Sequence, residues 1–168
     1  MEAKNQKVID VLNELVRINN DRIAGYHLAS QNTKDLDLEQ LFTSMLNESV
    51  NFAETLEAYI QEMGGKPTGS GTTKGKIHQV WLNVKAAIVG NDRVGLLSSC
   101  EFGDKAAVEA YQAAVKVKEM EQNEEISGVL LRQQANIESS LKIIQALNPR
   151  TKSTQAEMKA LKLIQPSP

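Results

Sequence analysis

The chain has one cysteine, Cys100, and two histidines, His27 and His78. A single thiol excludes an intramolecular disulfide and any cysteine-based zinc cluster. Two imidazoles leave little for a histidine-rich metal site. Only four prolines and 4% aromatic residues are present, which suits helices better than a β-sandwich. An excess of one charge is missing too: 19 Lys and Arg face 21 Asp and Glu, a formal net charge of -2. A nucleic-acid module usually carries a basic field, so no nucleic-acid partner is expected. No run of about 18 apolar residues exists, so no membrane span is expected. The opening, MEAKNQKVIDVLNEL, reads as an amphipathic helix with charges inside it rather than a signal peptide. The expected address is therefore cytoplasmic. What is present, 168 residues of which 41% are apolar, suffices for one domain with a real core.

The apolar period is helical almost throughout. Ile9, Leu12, Val16, Asn19, Ile23 and Tyr26 recur at steps of three and four, widened by Val8, Leu15 and Ile18. A polar turn at Gln31-Asn32-Thr33 ends that helix. A second opens after Asp37, with Gln40 as a capping-box partner, and carries Leu38, Phe42, Met45, Ser49, Phe52, Leu56, Tyr59 and Met63. Gly64-Gly65 ends it, because a left-handed cap costs glycine no Cβ clash. After a Gly, Ser, Thr and Lys stretch to Gly75, a shorter helix holds Ile77, Val80, Trp81, Val84 and Ile88 and closes at Gly90. Asn91 or Asp92 caps a third long helix with the stripe Val94, Leu97, Glu101, Asp104, Val108, Tyr111 and Val115. Asn123 caps a fourth, with Ile126, Leu130, Gln134, Ile137, Leu141 and Ile144 inward, ended by Asn148-Pro149. Each long helix spans roughly 37 Å.

Short turns join the first to the second and the third to the fourth long helix, which makes two antiparallel hairpins. The connector, about 64–91, is long enough to cross the length of a bundle. The expected fold is therefore all-α: a ferritin-like four-helix bundle over residues 1–148, two hairpins joined by a long crossover containing a short helix. Residues 149–168 are set apart as a C-terminal tail. Thr154 to Ile164 could form a short amphipathic helix, and the tail reads as a frayed end, a docked helix or a partner-binding segment.

Such bundles raise the question of a di-metal carboxylate site, which takes inward Glu from two helices and Glu-x-x-His from the other two. Ala24 precedes His27 and Gly75 precedes His78 by three, so neither histidine has the required Glu. Glu138 to Leu141 puts an apolar residue where the imidazole would be, and Glu48 to Asn51 is no better. No catalytic residue and no metal ligand are assigned. A partial polar layer remains: Glu101 and Asp104 face inward on the third helix, with Asn19, Ser49 and Gln134 inward on the others. Two readings compete. One is a reduced oxygen-rich site of Asp21, Glu101, Asp104 and Gln134, for which Fe or Mn would be the cofactor. The other is a hydrogen-bonded layer that sets helix register, with no cofactor. A shifted stripe of Leu96, Cys100, Ala107 and Ala114 would leave Glu101 at the rim.

The remaining motifs are weaker. Gly69 to Ile77 looks like a phosphate loop, but Ser70 stands where a P-loop needs Gly and Ile77 where it needs Ser or Thr. It reads as a flexible crossover, whose lysines could meet an anion at the next helix start. Cys100 reads as a buried, inert thiol. Trp81 packs its helix onto the bundle, and His27 lies on the surface. The Glu119, Glu121, Glu124 and Glu125 cluster lacks the calcium-loop pattern.

Taken in order, Asp21-Arg22-Ile23-Ala24-Gly25-Tyr26, Gly64-Gly65-Lys66-Pro67, His78-Gln79-Val80-Trp81, Glu101-Phe102-Gly103-Asp104, Tyr111, and Gln134 with Ile137 carry a resemblance. Over roughly residues 5–148 the chain resembles a bacterial family of small ferritin-like four-helix-bundle proteins of unknown function. That family's pattern has Gly where this chain has Arg22, tends to Glu-x-Gly-Glu-Asp where it has Asp104 and Lys105, and often has His where it has Leu141. The resemblance implies the fold and a bacterial, cytosolic, stress-related setting, without a reaction. The expected function is that of a non-catalytic structural or interaction protein, with metal-binding or oxidoreductase activity as the alternative. A homo-oligomer, a dimer, is the expected partner state, beside an unidentified protein partner.

Overall fold

The computed structural model describes residues 2–73 and 76–164. Among them every regular element is a helix: α1 (Glu2–Asn32), α2 (Leu36–Glu62), α3 (Lys76–Val89), α4 (Arg93–Val115), α5 (Lys118–Glu121), α6 (Glu124–Leu147) and α7 (Pro149–Ile164). Lys74 and Gly75 of the phosphate-loop look-alike lie outside the described residues, as does the end of the tail, 165–168.

The caps explain the boundaries. Asp92 and Asn123 accept hydrogen bonds from the backbone N–H groups of Gly95 (2.8 Å) and Ile126 (3.1 Å), each satisfying one otherwise orphaned donor. The expected start of α2 is corrected: the cap is Asp35, and Asp37 sits inside the first turn. At the other end of α2 the Gly65 N–H reaches the Ile60 carbonyl at 2.8 Å. Gly64 makes this turn at φ 77°, the left-handed region glycine enters freely. The connection between α4 and α6 is more than a turn. It contains α5, whose Met120 is fully buried.

Side-chain partners give the directions. The first half of α1 (Val8, Leu12, Leu15) shares one apolar cluster with the second halves of α2 (Phe52, Leu56, Ile60) and α4 (Ala107, Tyr111, Ala114) and the first half of α6 (Ile126, Leu130). Tyr26 and Ala29 of α1 share the other cluster with Leu38 and Phe42 of α2, Leu96 and Leu97 of α4, and Ile144 of α6. Thus α1 and α2 form one antiparallel hairpin, α4 and α6 another, and α2 runs parallel to α4. The connector must therefore travel from the first cluster's end to the second's.

That connector is tied to α1. Asn13, Asn20 and Asp21, on one side of α1, hold it in turn. Asn13 takes the Thr68 N–H (2.8 Å) and donates to Lys66 O (3.3 Å), and Asn20 donates to Ser70 O (3.1 Å). Asp21 accepts from the Thr72 N–H (3.1 Å) and hydroxyl. Then α3 packs between α1 and α4: Trp81 lies flat against Gly25, where any Cβ would fall inside its ring, and meets the Tyr26 ring edge-on at 6.1 Å. At the far end Arg93 bridges Asp35 (2.8 Å) and Asp37 (2.9 Å), joining the start of α4 to the α1–α2 turn. The tail reading resolves to a helix that begins at Pro149, five residues before the expected start, with proline in the first position where its missing N–H is harmless.

Candidate functional site

Between the two apolar clusters lies a polar layer built from all four long helices. It consists of two hydrogen-bonded circuits about one turn apart. In the first, Asn19 on α1 donates to the Tyr111 hydroxyl on α4 (2.8 Å). Tyr111 donates to Gln133 on α6 (2.7 Å), and Gln133 reaches the Phe52 carbonyl on α2 (3.5 Å). In the second, Arg22 on α1 donates from Nε to Asp104 on α4 (3.0 Å) and from Nη2 to Glu48 on α2 (3.2 Å). Glu48 in turn accepts from Ser140 on α6 (3.4 Å). The side-chain members of these circuits fix the rotation of their helices, because a turn of one residue would carry them out of reach, whereas α2 enters the first circuit only through a main-chain carbonyl.

The electrostatics centre on Arg22, which is 1% exposed, as is Asp104. Burial alone would strip the guanidinium of its proton more easily. The negative charges of Asp104 and Glu48 reverse this, and its pKa stands above the ordinary value. Its carbon also lies 5.6 Å from the Tyr26 ring centroid. Burial, then the charge of Asp104, pushes the Tyr26 phenol well above its usual range and does the same to the Cys100 thiol. Burial likewise raises Tyr111. None of these three gives up a proton near neutrality, so the layer holds no nucleophile or general base among them. Three atoms of this centre, Arg22 Nη1, Tyr26 Oη and Asp104 Oδ2, are buried with no hydrogen-bond partner. Buried polar atoms without partners cost stability, so this centre opposes folding unless Arg22 and Asp104 stay paired.

The four residues expected in an oxygen-rich site divide among four environments. Asp104 is the partner of Arg22. Glu101, buried at 6% exposure, faces the other way. It accepts from Lys105 (2.7 Å), Asn148 (3.0 Å) and the Thr151 hydroxyl of α7 (2.6 Å), and Gln145 approaches at 3.4 Å. Burial would raise its pKa, but these donors win and hold its carboxyl below the ordinary range. Asp21 binds the crossover, and its pKa is raised by burial against the lowering effect of Thr72. Gln134 is a correction: it is half-buried and donates to Glu138 on its own helix (2.9 Å), while Gln133 takes the inward place. Leu130, Gln133 and Ile137 are three and four residues apart, so the stripe turns inward one residue earlier than expected. Among the described residues, no three His, Cys, Asp or Glu side chains gather as a metal-holding group.

Arg22 is the central residue that sequence reasoning missed. Ile23 was placed on the inward stripe, but Ile23 is half-buried and Arg22 fully buried. The available signal was spacing: Arg22 is three residues from Asn19 and four from Tyr26, both on that stripe. The two α4 stripes, treated as alternatives, are both buried: Leu96, Cys100 and Ala107 together with Leu97, Glu101 and Asp104. α4 is enclosed by α1, α3 and α6, so it has no single inward side. His27 and His78 are both exposed.

Residues 7–119 match the family described as Domain of unknown function (DUF2383), about two thirds of the chain, and the chain belongs to that family. No curated protein matches it.

Proposed function

We propose that this DUF2383 protein is a non-catalytic helical bundle of ferritin-like connectivity that works as a structural or interaction protein and associates with itself. One observation carries the reading. The carboxylates of the polar layer are already engaged by the chain's own donors: Asp104 and Glu48 by Arg22, and Glu101 by Lys105, Asn148 and Thr151. A guanidinium thus stands between buried Asp104 and half-buried Glu48, where a metal site would need room for a cation. The ferritin-like part is supported by the parallel course of α2 and α4, which requires a connector along the bundle. The bacterial, cytosolic setting rests on the family resemblance.

The test is elemental analysis of protein purified without chelator, repeated after incubation with iron and with manganese. The expected result is no stoichiometric metal after gel filtration. A metal retained in proportion to the chain, and lost in Glu101→Ala/Asp104→Ala, would overturn the reading in favour of the metal-binding alternative.

A further inference from the structure

The last helix has an exposed surface that its own chain does not cover. Among the described residues its side-chain hydrogen bonds to the rest of the chain come from its first turn, through Thr151 and Glu101, and from Asn148 just before it, whose amide reaches Ser98 (3.2 Å) and Glu101. From Lys152 to Lys162 every residue of α7 is exposed. Thr151, Thr154, Met158 and Leu161 share one side at helical spacing. Met158 and Leu161 are 55% and 63% exposed. The helix is also basic: Arg150, Lys152, Lys159 and Lys162 stand against Glu157 alone.

The opposite charge sits at the other end of the molecule. Residues 54–62 on α2 and 119–125 before and into α6 contain seven glutamates and no Lys or Arg. The Tyr59 hydroxyl bonds to Glu125 at 2.9 Å and binds the two segments into one surface, which Lys118 and Arg132 border. One turn beyond, Leu131 is 53% exposed. Gly128 and Ala135 flank it on the same side of α6, and around Gly128 only the tip of Arg132 comes near, at 3.5 Å. An apolar seat edged by carboxylates therefore matches an apolar stripe edged by lysines.

We propose that α7 docks on this acidic face of a second copy of the chain. Met158 and Leu161 lie against Leu131 between Gly128 and Ala135, and the lysines of α7 face Glu121 and Glu124. Two copies side by side in opposite directions exchange this contact reciprocally, which closes a two-fold dimer. The same helix cannot reach this face in its own chain, because Thr151 anchors it over Glu101 of α4 at the far end. An α7–α7 pair would set two basic helices together. An anionic lipid surface would attract α7 but repel the acidic end of a chain whose net charge is -2.

This inference rests on the self-association in the proposed function and names the surfaces that produce it. The experiment is sedimentation velocity of the full chain across concentration at low and high salt, with circular dichroism confirming the fold of each variant. A dimer weakened by salt is expected. Lys152→Glu/Lys159→Glu/Lys162→Glu should weaken it about tenfold or more. Glu121→Lys/Glu124→Lys should do the same, and mixing the two variants should restore association between them. A chain that stays monomeric at every concentration overturns both this inference and the self-association. A dimer that neither set of changes weakens overturns the inference alone. So does α7-dependent binding to anionic vesicles by a chain that does not dimerise.

Discussion

Asp104 and Glu101 stand one turn apart on α4, and both are buried carboxylates, yet they do opposite work. Asp104 faces the middle of the bundle and has one strong partner, Arg22, contributed by a helix 82 positions away in sequence. Its neighbours are sealed, and its own Oδ2, Arg22 Nη1 and Tyr26 Oη are unpartnered. Glu101 faces the end of the bundle, where exposed Lys105, half-buried Thr151 and buried Asn148 supply several donors. The first carboxylate couples the two hairpins, and the second holds one terminal helix. A buried charge with a single partner makes the fold hinge on that partner, whereas a charge with many partners can lose one and survive.

The contrast predicts a graded set of outcomes. Arg22→Ala leaves Asp104 buried and unpaired and should cost about 3–5 kcal/mol in urea unfolding. Arg22→Met/Asp104→Leu should recover most of that loss, because an apolar pair needs no compensation. If the double variant is no better than the single, the Arg22–Asp104 pair is not the origin of the cost. Next in size is Tyr111→Phe. It leaves the Gln133 carbonyl without its donor in a buried layer, an expected loss of about 1–3 kcal/mol by the same measurement. Thr151→Val should be smaller, about 1 kcal/mol or less in the stability of the whole. Its effect should appear instead as faster hydrogen exchange in α7 with α1, α2, α4 and α6 unchanged.

The smallest effect is a pH dependence. Glu101 has a folded pKa below its ordinary value of 4.5, so its stabilisation is complete above that value. It is lost as the pH falls through the lower folded pKa, so α7 should loosen only in acid. Asp21 has the opposite sign. Its folded pKa is above the ordinary 3.8, so the folded chain holds that proton more tightly. Stability contributed by the protonated form declines as the pH rises through that window. Carboxyl titration followed by NMR separates the two, and equal directions of shift would contradict the environments described for them.

How much of this could be read beforehand depended on which face a residue presents. The long helices, both glycine-ended segments and the cap Asn123 follow from local rules, because a helix end satisfies its orphan groups within a few residues, while the structure chooses Asp92 over Asn91 as the cap of α4. The inward positions of Glu101 and Asp104 also followed from their spacing. Which way each one faces did not, since that depends on Arg22 and Thr151, distant in sequence. Arg22 escaped because a guanidinium is normally placed in water, and only a partner on another helix makes its burial tolerable. Gln133 and Gln134 differ by 100° around α6, and two adjacent glutamines give no hydrophobic contrast to choose between them. The short α5 was hidden for a similar reason: four residues are too few to show a period.

The connector between the hairpins has a consequence for how the chain tolerates a break. By composition it is a linker of glycine, serine and threonine, the kind of segment a protease cuts first. Here Asn13, Asn20 and Asp21 hold its backbone at successive points along α1. Its course is set by those side chains and by Trp81 seated on Gly25, more than by the covalent link itself. A chain nicked between Lys66 and Thr72 would therefore keep both halves together as a non-covalent pair, each half carrying one hairpin of the core.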